Sequence, residues 1–223
     1  MVRLTSRLSA AADLCRRGVT VCDVGTDHAL LACYLAQNGA KAVIASDVRE
    51  GPLNAARRTI AEQGVTNVTA VLSDGLDRID YADDVLICGM GGELIMRIIS
   101  GCRFLSGDTR FILQPMTRAE VLREQLYLNG FEIIEERTAK EGSRFYTIML
   151  VKYTGVRRET DDVFRYCGKI TDADMLRWIA SRLRKIADGE QMAEGKPENQ
   201  GEARKTRSLA DRIDAHAEKI TEV

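Results

Sequence analysis

The sequence predicts a doubly wound α/β domain followed by an antiparallel helical hairpin. Three observations predict it. Short apolar runs alternate with helix-period apolar patterns five times between residues 19 and 129. Two alternating runs, Phe131 to Thr138 and Phe145 to Lys152, then read as an antiparallel pair joined by a turn over 140–143. From Thr154 onward apolar residues recur at helical spacing only, so the chain divides into an α/β domain, 1–154, and a helical one, 155–223.

The elements follow in order. Leu4, Leu8, Ala11, Ala12 and Cys15 share one face of an opening helix that also carries Arg7. The first strand, Val19 to Val24, contains Asp23 and runs into Gly25, which permits a sharp turn and close approach to a ligand. A helix is expected over Ala29 to Ala36, its unpaired N–H groups beginning near Asp27. A second strand, Lys41 to Ser46, ends in Asp47, and the Gly51-Pro52 turn precedes a helix over Leu53 to Gln63. The third, Val68 to Leu72, runs into Ser73-Asp74-Gly75. The fourth, Asp84 to Cys88, runs into Gly89-Met90-Gly91-Gly92 and a helix bearing Leu94, Ile95, Ile98 and Ile99. The fifth, Phe111 to Leu113, ends in Gln114-Pro115-Met116, with Thr117 and Glu120 resembling a capping box for the helix Ala119 to Asn129.

This arrangement offers a nucleoside site without a dinucleotide cradle. G-x-G-x-x-G would need glycines where Asp27 and Leu30 stand. A single glycine turn after an acidic strand end suits a ligand with an amino-acid end and an adenosine, the shape of S-adenosylmethionine. Asp47, about 22 residues past Gly25, is placed to accept hydrogen bonds from ribose hydroxyls. Asp74 suits an adenine edge. Right-handed crossovers gather the loops after strands one to four on one sheet edge, so Asp23, Gly25, Asp47, Asp74 and Gly89 should converge there on one cavity.

In the C-terminal part, Leu176, Ile179, Leu183 and Ile186 match Leu209, Ile213, His216 or Ala217, and Ile220 as two amphipathic faces. The polar stretch from Asp188 to Glu202, with Gly189, Gly195, Pro197 and Gly201, is expected to be the connecting loop. His216 reads as a seam residue. The basic clusters Arg182/Arg184/Lys185 and Arg204/Lys205/Arg207 are either solvated faces or contacts for a nucleic-acid backbone.

Composition limits the partners. The chain carries 32 basic and 33 acidic residues, divided 18 to 19 over residues 1–154 and 14 to 14 beyond, so any RNA contact must use local patches. Six cysteines without C-x-x-C spacing and two histidines point to a reduced, cytoplasmic, metal-free protein. No apolar run approaches a membrane span.

Five strand–helix alternations and a closing hairpin are also the order of the Rossmann-like class I methyltransferase sheet. The segments DVGTDHALL, SDVREGPLNAA, SDGL, ICGMGG and FILQP, in that order, closely resemble the TrmK family of bacterial tRNA (adenine-22-N1)-methyltransferases, with LTSRL and FYTIMLV extending the likeness across residues 4–153. The C-terminal helical hairpin, a coiled coil, also suits that family. The resemblance implies transfer of a methyl group from S-adenosylmethionine to N1 of an adenine in tRNA. Separately, the chain is expected to be a monomer. Position by position it implies cofactor contacts from Asp23, Gly25, Thr26 and His28, from Asp47 and Val48, from Ser73, Asp74 and Gly75, and from Gly89, Met90 and Gly91. Asp27 matches the acid of the family's D-H-A triplet and is the candidate catalytic group. Arg7, Gln114, Arg182, Lys185, Arg204 and Lys205 are the candidate substrate contacts. Two positions depart from the family pattern: Ala32 stands where proline is expected, and Met116 where asparagine is common. The residues alone leave open a class I methyltransferase acting on another RNA or a small molecule, a nicotinamide-dependent oxidoreductase, and an RNA-binding protein with a relic pocket.

Overall fold

The computed structural model describes residues 2–192 and 197–221 and divides the chain into two compact units, 1–159 and 160–223. The first unit is built on β1 (Thr20–Val24), β2 (Ala42–Asp47), β3 (Val68–Leu72), β4 (Asp84–Gly91), β5 (Arg110–Thr117), β6 (Phe131–Glu141) and β7 (Arg144–Tyr153). They form one seven-stranded sheet in the order β3-β2-β1-β4-β5-β7-β6. The first five strands run parallel, and β7 inserts antiparallel between β5 and β6. Flanking it are α1 (Ser6–Ala12), α2 (Leu30–Gln37), α3 (Glu50–Glu62), α4 (Gly92–Ser100) and α5 (Ala119–Leu128). β1 and β4 are apolar on both faces because helices cover both sides; Val21, Cys22, Val85, Leu86 and Ile87 are fully buried.

Strand order decides where a ligand can enter. From β1 the chain builds outward through β2 to β3, then returns to lay β4 on the other side of β1. The loops leaving β1 and β4 therefore turn to opposite sides and open a crevice at their carboxyl ends.

Several elements differ from the sequence expectation. α2 starts at Leu30, because Asp27 (φ 50°) and Ala29 (φ 54°) both take the left-handed conformation ahead of it. α3 starts at Glu50, so Gly51 and Pro52 lie in its first turn, where proline's missing N–H costs nothing. The glycines after Cys88 are not a loop: β4 continues to Gly91 through a bulge, paired with a longer β5. Thr117 is consequently the last residue of β5 rather than a helix cap, and Arg118 (φ 60°) makes the turn into α5 without a capping side chain. β6 runs three residues past Thr138, to Glu141.

The second unit comprises α6 (Asp162–Cys167), α7 (Ala173–Met192) and α8 (Pro197–Thr221). α6, which hydropathy did not reveal, is capped by Asp161, whose carboxylate accepts from the Phe164 amide at 2.8 Å. α7 and α8 are antiparallel neighbours: Arg177 donates to Thr221, Arg184 pairs with Asp211 and Asp214, and Arg207 pairs with Asp188. Their buried seam is Leu176, Ala180, Leu183 and Ala187 against Ala203, Ala210, Ile213 and Ala217; Ile186 is exposed and His216 sits beside the seam, half-buried. Both helices extend into the stretch expected as a loop, leaving only 193–196, with Gly195, outside the described residues. Among the described residues no helix is long and apolar enough to cross a membrane, and no cluster of three or more metal-ligating side chains occurs.

Candidate active site

The crevice at the ends of β1 and β4 holds a cavity of about 290 Å³ lined by Arg7, Leu8, Asp23, Gly25, Thr26, Asp27, His28, Leu30, Leu31, Cys88 and Gly89. Its deepest charged group is Asp23. The carboxylate accepts a 2.7 Å hydrogen bond from the Thr26 hydroxyl, and the Ala32 amide also bonds it. No cation lies within ion-pair distance among the described residues. Burial raises its pKa to about 6, partly offset by those two donors and reinforced by nearby Asp47.

The turn above Asp23 is held by backbone. The amides of Gly25 and Thr26 both donate to the Ser46 carbonyl, at 2.8 and 2.9 Å, tying the end of β1 to β2. Gly25 has φ +75°, and a Cβ there would stand 2.3 Å from the Met90 methyl. Only glycine gives this turn its shape and leaves the space over Met90 open. Asp27 and His28 project from the turn into solvent at the cavity mouth, their side chains 69% and 62% exposed and 3.7 Å apart.

The opposite wall is the β4 bulge. Cys88 pairs with Gln114 and Met90 with Pro115, so Gly89 (φ +82°) is the extra residue and its N–H has no ladder partner. The buried Gln114 side chain supplies one: its Oε1 accepts from Gly89 N at 3.1 Å and from Arg7 Nη1 at 2.9 Å. Its Nε2 donates to the Pro115 carbonyl and faces the Met116 sulfur at 3.6 Å. Gly92 has a different purpose, since a Cβ there would meet the Arg118 carbonyl at 2.4 Å. Burial raises the Cys88 thiol far above its ordinary range, so it stands in the wall as a neutral group.

The expected residues are thus only partly united. Arg7, Asp23, Gly25, Thr26, Asp27, His28 and Gly89 surround one cavity, with Met90 against Gly25. Asp47 and Asp74 share the sheet edge but do not line that cavity, contrary to the expected convergence. The Asp47 carboxylate turns back to accept from the Arg49 amide at 2.9 Å, and Asp74 faces Arg97 at 3.5 Å in solvent. Val48 is exposed beside Asp47. The Ser73 hydroxyl is engaged within its own turn, donating to the Gly75 carbonyl and accepting from the Arg78 amide. Gly75 packs on Ile98, and Gly91 ends β4. Gln114 and Arg7 are bonded to each other. Arg182, Lys185, Arg204 and Lys205 are exposed on α7 and α8; Arg182 lies over the Trp178 ring and Lys205 pairs with Glu202.

Sequence reading missed Glu141, which β6 delivers to Arg7, and Leu8, Leu30, Leu31 and Cys88 in the cavity wall. The first needs the β6–β7 register, which local periodicity does not contain. A buried carboxylate with no cation beside it among the described residues, beneath a turn that a Cβ would fill, fits the cationic, nucleoside-sized cofactor implied by the sequence resemblance.

Comparison with known proteins agrees with this architecture. A family model described as a methyltransferase domain matches residues 4–149. The tRNA (adenine(22)-N(1))-methyltransferase of Bacillus subtilis is 34% identical over 156 residues, 68% of this chain and 66% of that protein. The crystal structure of the Bacillus subtilis tRNA methyltransferase TrmK superposes with a TM-score of 0.83 at 25% identity, covering 96% of this chain and all (100%) of that one. A Streptococcus pneumoniae protein solved in complex with S-adenosyl-L-methionine gives 0.81 at 28% identity, covering 95% and 100%. By family model, sequence and fold, this chain belongs to the methyltransferase-domain family and groups within it with the TrmK proteins.

Proposed function

We infer that the chain methylates N1 of adenine 22 in bacterial tRNA, using S-adenosylmethionine. The observation that carries this reading is the cavity at the β1–β4 switch point, where buried Asp23 has no cation among the described residues and Gly25 keeps the turn open. Similarity to a relative bearing that activity, and to a structure holding that cofactor, supports it.

When bound, the cofactor supplies a sulfonium-activated methyl group. Asp23 offers the negative charge that a cationic ligand needs in a buried place. Asp47, Val48 and the Ser73–Gly75 turn extend the site along the edge toward ribose and adenine, and Met90 and Gly91 form its floor beside Gly89. Neutral adenine already has an in-plane lone pair on N1, so no base is required to create the nucleophile. Positive charge appears on the base as the methyl group transfers. Asp27, exposed at the cavity mouth, accepts from the adenine N6–H and gains strength as the ring becomes cationic. His28 and Leu30 border the same opening. The base must first leave its stack, at a cost of a few kcal/mol. Phosphate contacts from Arg182, Lys185, Arg204 and Lys205 offset part of that cost.

A monomer is the working unit of this reading, and six free thiols suit the reducing cytoplasm. The test is incubation of the purified chain with methyl-labelled S-adenosylmethionine and tRNA, followed by digestion to nucleosides. Label in 1-methyladenosine is expected; label in another nucleoside, or none, would contradict the reading.

A further inference from the structure

The first helix and the last hairpin of the sheet meet at Arg7. Its guanidinium lines the cavity, and Nη1 donates to Gln114 Oε1 at 2.9 Å. On its other side is Glu141, the last residue of β6: Oε1 accepts from the Arg7 backbone amide at 3.0 Å, and Oε2 lies 3.7 Å from Nε. The Tyr146 ring of β7 lies 5.9 Å from the guanidinium carbon. Both side chains are about three-quarters covered, 22% and 27% exposed. The Arg7 amide, a hydrogen bond from Thr5 and the Arg7 charge hold the Glu141 carboxyl below its ordinary range. Glu141 is therefore ionised at neutral pH, and the pair is neutral overall.

That neutrality matters beside a cationic ligand. Gln114 needs a donor on Oε1 to keep its amide turned so that it also accepts from the bulged Gly89 N–H. Arginine supplies that donor, but its charge would repel a sulfonium in the same cavity and, after transfer, a cationic base. We propose that Arg7 is a positioning residue for the Gly89 wall and that Glu141 is its counter-ion, cancelling a charge that would otherwise oppose binding of the methyl donor. The phosphate contact expected of Arg7 is replaced by this role, which rests on the cofactor reading above.

The test compares affinities for S-adenosylmethionine, a sulfonium cation, and S-adenosylhomocysteine, its neutral thioether, by titration calorimetry on the full chain. Taking the ratio within each variant cancels differences in folded fraction. Glu141→Gln should weaken the cation relative to the thioether by roughly three-fold or more, as expected for an uncompensated charge in a solvent-touched cavity. Arg7→Met should shift the ratio the other way, and Arg7→Met with Glu141→Gln should return it near the wild-type value. Arg7→Lys, which keeps the charge, should leave the ratio within about two-fold of wild type. A ratio that stays constant across all variants would overturn the proposal while leaving the cofactor reading intact. A wild type that binds neither ligand would overturn both.

Discussion

Asp23 is a buried carboxylate in the cavity wall, and its burial weakens the folded state at neutral pH. Its carboxyl, raised to about 6 by burial, has an ordinary value of 3.8 once the chain unfolds. The folded state therefore holds the proton more tightly, and this group's contribution to stability falls as pH rises from about 4 to about 6 and stays low above that. Asp23→Asn keeps an acceptor for Thr26 and removes the buried charge. It should raise stability at pH 8 by about 1–2 kcal/mol, below the ceiling a two-unit shift allows, with the gain vanishing near pH 4. The same change should cost at least ten-fold in S-adenosylmethionine affinity. Melting curves at pH 4 and pH 8 check the first part; a variant less stable than wild type at pH 8 would contradict it. Asp27 makes a separate prediction. Asp27→Ala should lower kcat by about 10² with little change in cofactor affinity, as expected for a group engaged mainly in the transition state. Full turnover in that variant would remove Asp27 from the chemistry.

At the scale of elements, the site depends on two backbone features facing each other, the turn after β1 and the bulge in β4. Gly25→Ala would place a methyl group 2.3 Å from Met90 Cε and force alanine to φ +75°. Adding Met90→Ala should relieve the clash and leave the conformational cost, on the order of 1–2 kcal/mol. The double variant should therefore melt higher than Gly25→Ala alone and lower than Met90→Ala; equal melting of the two Gly25 variants would mean that Met90 does not set the turn. These features were unequally legible in the sequence. Asp23 and Gly25 stood out because a buried parallel strand is a continuous apolar run, and an acid and a glycine interrupt it. The bulge did not, since Gly89 to Gly92 reads as a loop until Thr117 is seen to pair with Gly91. That pairing is also why Thr117 caps nothing. Glu141 was hidden for the same reason, as strand ends are set by a partner's register and not by local periodicity.

On the whole molecule, the two units divide the labour differently. In the first, the strand order β3-β2-β1-β4-β5 puts the crevice between β1 and β4; the sequence shows five strand–helix alternations but not that order. In the second, the basic clusters separate by function. Arg184 and Arg207 are spent on ion pairs that tie α7 to α8. Such partly exposed pairs contribute less than about 1 kcal/mol each and chiefly set which faces meet. Arg182, Lys185 and Arg204 remain outward on the helices. Composition could not distinguish these arginines, because the seam runs through alanines that carry little hydropathic signal. Arg182→Glu with Lys185→Glu should weaken tRNA binding about ten-fold at low salt and flatten its salt dependence, leaving cofactor affinity unchanged. A filter-binding series between 50 and 200 mM salt, on the order that separates such slopes, checks this; an unaltered slope would place the RNA elsewhere.

The central claim is that this fold and cavity act on one base of tRNA. It is tested most directly by methyl transfer to two transcripts that differ only in carrying adenine or guanine at position 22. Incorporation of one methyl group into the adenine transcript and none into the other is the predicted result. Equal incorporation into both, or none into either with cofactor bound, would contradict it.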